Sequence, residues 1–272
     1  MFAAERQARI KDIVTEYKYV DVSTLVSMLQ VTEVTIRRDL ELLEKDGVLI
    51  KLHGGAMLND NGSSNSTIFT SYTPPDIATS NLHAKQEIAK VASMLLQPYD
   101  TIFIGGGTTC TCFANNLASL EPKPNITIVT NNFQAAIHLI NILEYKVVLT
   151  GGELFFDHGC AETYGQFTDI ALGMTFFTKT FITVAAVSLE HGYMQANDRS
   201  LSINKQVIKK SSNTYILADY TKFDKISMLQ LCSIDSIRNV VSNENISDAF
   251  KSYYFNNNIK LYTTIDYPNT SV

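Results

Sequence analysis

Two adjacent arginines and a run of three glycines are the residues of this chain best suited to holding anions. Arg37 and Arg38 lie in V-T-E-V-T-I-R-R-D-L, residues 31–40. A guanidinium bonds O6 and N7 of guanine together, or it grips a phosphate. Gly105-Gly106-Gly107-Thr108-Thr109 follows the apolar run T-I-F-I. Such glycines let backbone N–H groups converge on an anion. A following helix adds favourable potential at its N-terminus, and the threonine hydroxyls add donors. Taken alone, the loop is equally a plain glycine-rich strand-to-helix turn.

The arginine pair needs a helix that turns it outward. Thr32 is a good N-cap, Glu33 complements the positive helix end, and Gly47 supplies a left-handed stop. At about 100° per residue, Ile36, Leu40 and Leu43 form one apolar stripe that must face a core. Val34 and Arg38 then point nearly opposite, with Thr35 and Arg37 on the flanks. Arg38 is the candidate for a base contact and Val34 for a thymine methyl. Arg37 is the candidate for phosphate, and Thr35 for either. Upstream, Ile10, Ile13, Val14 and Tyr17 predict a first helix. Val20 and Val22 suggest a short strand able to pair with a wing. Ser23 is placed to cap a second helix ending near Leu29, and Gln30-Val31 make the turn. Downstream, V-L-I-K-L-H-G-G-A at 48–56 reads as a wing, with Lys51 and His53 near the DNA backbone. Helix, helix, turn, helix and hairpin in that order are the layout of a winged helix-turn-helix.

Charge balance does not favour nucleic acid. The chain carries 22 Lys and Arg against 27 Asp and Glu, a net of −5. Residues 1–57 hold eight bases and nine acids, so DNA binding must rest on where the charges stand. No apolar run is long enough for a membrane span, and no signal-peptide core follows Met1, which points to a cytoplasmic protein. Cys110, Cys112, Cys160 and Cys232 fit neither a metal-ligand spacing nor a disulfide framework, and are expected as buried thiols. No metal or cofactor is expected.

Residues 58–81, rich in Ser, Thr and Asn with a Pro-Pro, read as a connector. From residue 82 onward, helical stretches at 83–96, 108–119, 132–143, 164–174 and 199–211 alternate with apolar runs. These runs are T-I-F-I-G, I-T-I-V-T, K-V-V-L-T, F-I-T-V-A-A-V, T-Y-I-L-A-D and N-V-V-S. That alternation predicts an α/β domain with a mostly parallel sheet, whose ligands bind outside the carboxyl ends of the strands. Ile246 to Tyr254 reads as a closing helix and Ile259 to Tyr262 as an edge strand. The predicted ligand-binding residues at the strand ends are Gly106, Gly107, Thr108, Thr109, Thr130, Asn131, Gly151, Gly152 and Lys222.

T-I-R-R-D-L at 35–40 and H-G-G-A at 53–56 resemble the signature of the DeoR family of bacterial transcriptional regulators. The resemblance continues through L-H-A-K-Q-E-I-A at 82–89, T-I-F-I-G-G-G-T-T at 101–109, V-T-N-N at 129–132, L-T-G-G-E-L at 149–154 and L-A-D-Y-T-K-F at 217–223. It implies a DNA-binding domain (1–57), a linker (58–81), and an effector-sensing and oligomerisation domain (82–272) that resembles sugar-phosphate isomerase folds. It also implies a phosphorylated sugar as effector. The chain departs from the family where an Asp-Ser usually precedes Gly-Thr-Thr; Gly105 and Gly106 stand there instead. It departs again at T-V-A-A-V, 183–187, where a Gly-rich run and an acid are missing, and Lys205 stands one residue from a family lysine.

The leading reading is a DNA-binding regulator, a repressor of carbohydrate genes that acts as at least a dimer on double-stranded operator DNA. One alternative is a regulator whose second domain only oligomerises. Another is an isomerase-like enzyme, for which Glu153, Asp157, Glu162 and Asp219 offer carboxylates but no marked catalytic pair.

Overall fold

The computed structural model describes residues 3–17, 19–52, 55–58, 81–157 and 160–264. The chain divides into two compact units, Met1–Ser80 and Asn81–Val272. Most of the expected connector, 59–80, lies outside the described residues.

In the first unit, α1 (Ala3–Tyr17), β1 (Tyr19–Asp21), α2 (Val22–Leu29) and α3 (Glu33–Lys45) are followed by β2 (Leu49–Leu52) and β3 (Gly55–Leu58). The strands form one antiparallel sheet in the order β1-β3-β2, so the strand before α2 does pair with the wing. Ile10, Val14, Leu25, Ile36 and Leu40 are fully buried, and Leu43 and Leu49 close the same core. One local expectation changes. The cap of α2 is Asp21, not Ser23: its carboxylate accepts from the Thr24 N–H at 2.7 Å and from the Thr24 hydroxyl at 2.8 Å. A carboxylate one step ahead of the helix reaches two donors, and Val22 becomes helical rather than part of the strand. In the wing, Leu49 faces the core while Ile50 is exposed, because the turn at Gly47 fixes the phase of β2.

The second unit is a doubly wound α/β fold. Its strands β4 (Thr101–Ile104), β5 (Ile126–Thr130), β6 (Tyr145–Leu149), β9 (Phe177–Thr183), β12 (Ser211–Leu217), β14 (Asn239–Val241) and β15 (Lys260–Tyr262) make one parallel sheet. Their order is β15-β14-β12-β9-β4-β5-β6. Alternation along each strand serves two cores. Ile102 and Ile104 pack with α4 (Leu82–Met94), α5 (Thr108–Ala118) and α6 (Phe133–Leu139). Phe103 packs with α7 (Gln166–Met174), α8 (Asp198–Lys209) and α9 (Asp248–Asn256). Both faces are covered, which is why the strands read as continuous apolar runs.

The chain winds outward from β4 through β5 to β6, then returns to β9 on the other side of β4. The topological switch point is therefore between β4 and β9, where such folds leave a crevice. Two features escaped the sequence reading. A hairpin, β7 (Glu153–Asp157) and β8 (Cys160–Tyr164), stands apart from the main sheet. A small antiparallel sheet joins β10 (Ala186–Ser188), β11 (Gly192–Gln195) and β13 (Leu229–Cys232). The run F-I-T-V-A-A-V is thus not one strand: its first part ends β9 and its last part starts β10.

Candidate functional site

On α3 the Thr32 hydroxyl accepts from the Thr35 N–H at 3.4 Å and lies 2.9 Å from the Thr35 hydroxyl, which fixes the first turn. Val34 is 77% exposed, an unusual cost for a valine unless something covers it. Arg37 is exposed but engaged: its Nε and Nη2 donate to Glu33 Oε1 at 2.9 and 2.6 Å. Arg38 is exposed and makes no hydrogen bond or ion pair among the described residues. Lys51 lies on β2, and His53 lies outside the described residues. Sequence reasoning missed Asp39. Although it follows the arginines, it is buried and accepts from Arg6 Nε at 2.5 Å, Arg6 Nη2 at 3.2 Å and Gln7 Nε2 at 3.0 Å. This fork ties α3 to α1 and sets the angle at which the reading helix is presented.

The second candidate site is the carboxyl edge of the parallel sheet. The loop Gly105–Thr109 leaves β4 at the switch point. The Gly105 N–H donates to the Phe181 carbonyl at 2.9 Å, and the Thr183 hydroxyl donates to the Gly106 carbonyl at 3.0 Å. Gly106, Gly107 and Thr108 are partly exposed, while Thr109 is buried. The cradle is not empty. Glu162, brought in by β8, accepts from the Gly107 N–H at 2.7 Å, and its other oxygen accepts from the Tyr164 hydroxyl.

The adjacent strand ends serve different ends. Thr130 is fully buried; its hydroxyl donates to the Ile104 carbonyl at 2.6 Å and accepts from the Asn132 N–H at 3.0 Å. It fastens β5 to β4. Asn131 is buried with its Oδ1 unpartnered. Gly151 and Gly152 follow β6. Gly152 holds φ +139°, and a Cβ there would collide with the Tyr164 carbonyl oxygen, whereas one on Gly151 would meet nothing nearer than 4.0 Å. Gly152→Ala is therefore expected to cost about 1–3 kcal/mol in thermal unfolding, while Gly151→Ala leaves the midpoint unchanged. Differential scanning calorimetry of the two variants checks this.

Lys222 ends a short 3₁₀ turn after β12 and is half-buried. Asp219 before it is buried, with Oδ1 accepting from the Thr221 N–H at 3.0 Å and Oδ2 unpartnered. Lys85 on α4, which lies in the L-H-A-K-Q-E-I-A run and is buried, adds a second lysine to these groups. Burial lowers its pKa; the Cys112 and Asp219 groups pull the value back up, and Lys222 pushes it down again. Two lysines and one carboxylate thus influence one another along this edge. Burial raises the thiols of Cys112 to about 11 and Cys160 to about 12, so both stay neutral at pH 7. Among the described residues no group of His, Cys, Asp or Glu is arranged to hold a metal ion, and no helix is long and apolar enough to cross a membrane.

A family model described as the DeoR-like helix-turn-helix domain matches residues 6–62, and one described as the DeoR C terminal sensor domain matches residues 80–244. The chain belongs to the DeoR family. It is 29% identical to an uncharacterized HTH-type transcriptional regulator of Bacillus subtilis (strain 168), over 92% of each chain. It is 29% identical to the lactose phosphotransferase system repressor of Staphylococcus aureus (strain NCTC 8325 / PS 47), over 92% of this chain and 96% of that one. A putative aga operon transcriptional repressor of Escherichia coli O157:H7 is 26% identical, over 89% of this chain and 87% of that one. Among solved structures, ribose 5-phosphate isomerase A from Methanocaldococcus jannaschii matches 53% of this chain and 54% of its own, at 17% identity and a TM-score of 0.38. This DeoR-family chain is a DNA-binding transcriptional regulator with a C-terminal sensor domain. Its relatives are named as regulators and repressors, so the enzymatic alternative falls away.

Proposed function

We propose that this DeoR-family regulator represses carbohydrate genes in the cytoplasm. In this reading α3 enters the major groove of operator DNA, and a phosphorylated sugar at the carboxyl edge of the parallel sheet changes how tightly the protein binds. One observation carries the reading: α3 turns outward Val34 and Arg38, the latter without a partner among the described residues, away from the stripe that Ile36, Leu40 and Leu43 bury. Thr32, Thr35, Arg37, Lys51 and His53 are assigned to phosphate and groove contacts around them. Gly106, Gly107, Thr108, Thr109, Asn131 and Lys222, with Lys85 added, are assigned to the effector. The relatives named for the aga operon and the lactose phosphotransferase system support repression of sugar genes. The test is fluorescence anisotropy on DNA from upstream of the protein's own gene, with phosphorylated sugars titrated into the complex. Selective binding that one compound shifts supports the reading. The absence of selective binding at moderate salt defeats it.

Two recognition helices reading two half-sites need at least a dimer. We assign the dimer contact to α7. Phe167, Ile170 and Met174 recur on one of its faces and stand exposed, and Phe176 extends the patch. Met174→Asp puts a charge in that patch without touching the core. It is expected to shift the protein to monomers in sedimentation equilibrium and to weaken operator binding in parallel. A variant that stays dimeric rejects this face.

A further inference from the structure

We propose that Glu162 is a tethered anion seated in the cradle of the sensor domain, and that an effector's phosphate binds there only by displacing it. This rests on the reading of the second unit as a phosphate sensor. The Gly106–Gly107 segment opens α5 and offers N–H groups to an anion. Glu162 already takes that position: one oxygen on the Gly107 N–H, the other on the Tyr164 hydroxyl, with 8% of the residue exposed. Gly106 is what admits it, since any Cβ at that position would collide with the carboxylate. The contact is made by the carboxyl head of Glu162 and joins two segments 55 residues apart.

The surroundings are those of a ligand site rather than a closed core. Asn131 Oδ1, at the end of the adjoining strand, is buried without a donor, and so is Asp219 Oδ2 at the end of β12. Both are unfilled acceptors on the same edge of the sheet, suited to ligand hydroxyls. Lys85, on α4, is buried as well. A phosphate and the Glu162 carboxylate cannot share the Gly107 N–H, because two anions at one site repel. The hairpin that carries the carboxylate is anchored at its neighbouring residues, through Thr163 N–H to the Asn131 carbonyl at 2.8 Å and Ala161 N–H to Gln134 Oε1 at 2.9 Å, so displacement needs only the Glu162 side chain to turn away. Glu162 thus sets how much phosphate affinity the sensor has.

The experiment is calorimetric titration of the full chain with inorganic phosphate, with operator binding by anisotropy on the same samples. Glu162→Ala is expected to bind phosphate about tenfold or more tightly than the unaltered protein, with Glu162→Gln in between. Adding Gly106→Val to Glu162→Ala fills the vacated space and is expected to abolish the gain, which locates the phosphate at the cradle. Equal phosphate affinity in the unaltered protein and in a folded, DNA-binding Glu162→Ala overturns the inference and leaves the DNA-binding reading standing. If Glu162→Ala does not fold, the same comparison is made with Glu162→Gln, which keeps the side-chain volume. A gain of phosphate affinity with no phosphorylated sugar able to shift DNA binding supports the displaced anion and defeats the effector reading instead.

Discussion

Arg38→Ala is expected to lower operator affinity by roughly 30-fold or more. A bidentate arginine–guanine contact discriminates by about 1–3 kcal/mol, and a dimer loses two of them, roughly 2–6 kcal/mol in all. The geometry gives Arg38 this weight over its neighbour. Arg38 has no partner among the described residues, so it reaches a base without giving anything up. Arg37 must first leave Glu33, an exposed i,i+4 pair worth about 0.3–0.5 kcal/mol. The two variants should therefore differ in kind. Arg38→Ala relaxes selectivity at one position of each half-site. Arg37→Ala weakens all sequences alike and flattens the salt dependence by about one phosphate contact per protomer. Anisotropy against single-base operator variants at two salt concentrations separates them. An Arg38→Ala protein that loses affinity equally on every sequence would move Arg38 from the bases to the backbone.

The reading helix was legible because everything that defines it is local. Cap, stripe and stop lie within sixteen residues, Thr32 to Gly47, and helical geometry alone decides which side chains turn outward. The parallel sheet was legible for a related reason, since strands buried on both faces leave unbroken apolar runs. Asp39 was not legible. Beside two arginines on a helix it reads as a solvated charge, and only the packing of α1 against α3 brings Arg6 to it. Glu162 was noted as one carboxylate among several, because nothing near it in sequence shows that β8 delivers it to a loop in front of α5. The partners of Thr130 are hidden in the sequence for a similar reason. A polar residue at a strand end looks available until the neighbouring strand places the Ile104 carbonyl against its hydroxyl. The strands β7, β8, β10, β11 and β13 lack the apolar continuity of the central strands of the main sheet, because polar residues and turns interrupt them. In general, what depends on one element's own period was readable, and what depends on which elements meet was not.

Asp100→Asn is expected to destabilise the second unit by about 3–5 kcal/mol, without altering the intrinsic DNA contacts. Asp100 stands just before β4, at the amino edge of the sheet and so at the opposite end from the ligand loops. It accepts from Lys179 Nζ on β9 at 2.5 Å, from the Thr178 hydroxyl at 2.7 Å and from the Gln97 N–H at 2.8 Å. The two charged side chains are 10% and 7% exposed. Removing the carboxylate charge leaves the Lys179 ammonium largely buried without its counter-ion, and this sets the size of the effect. The midpoint of thermal unfolding should fall by roughly 10 °C for a domain of this size. Pairing the change with Lys179→Met should restore much of the loss, because no buried charge then remains. The sign of the pH dependence follows from the same contacts. Burial alone would raise the Asp100 pKa, but the Lys179, Thr178 and Gln97 donors outweigh it and hold the carboxyl below its ordinary value. Its unfolded value is about 3.9. The stabilisation is therefore fully present above that pH and drains away as pH falls through the lower, folded value. Calorimetry across that range should show a steeper acid loss in the unaltered protein than in Asp100→Asn. Parallel curves, or a midpoint that barely moves at pH 7, would mean that the Lys179 ammonium finds water or another partner once Asp100 is gone.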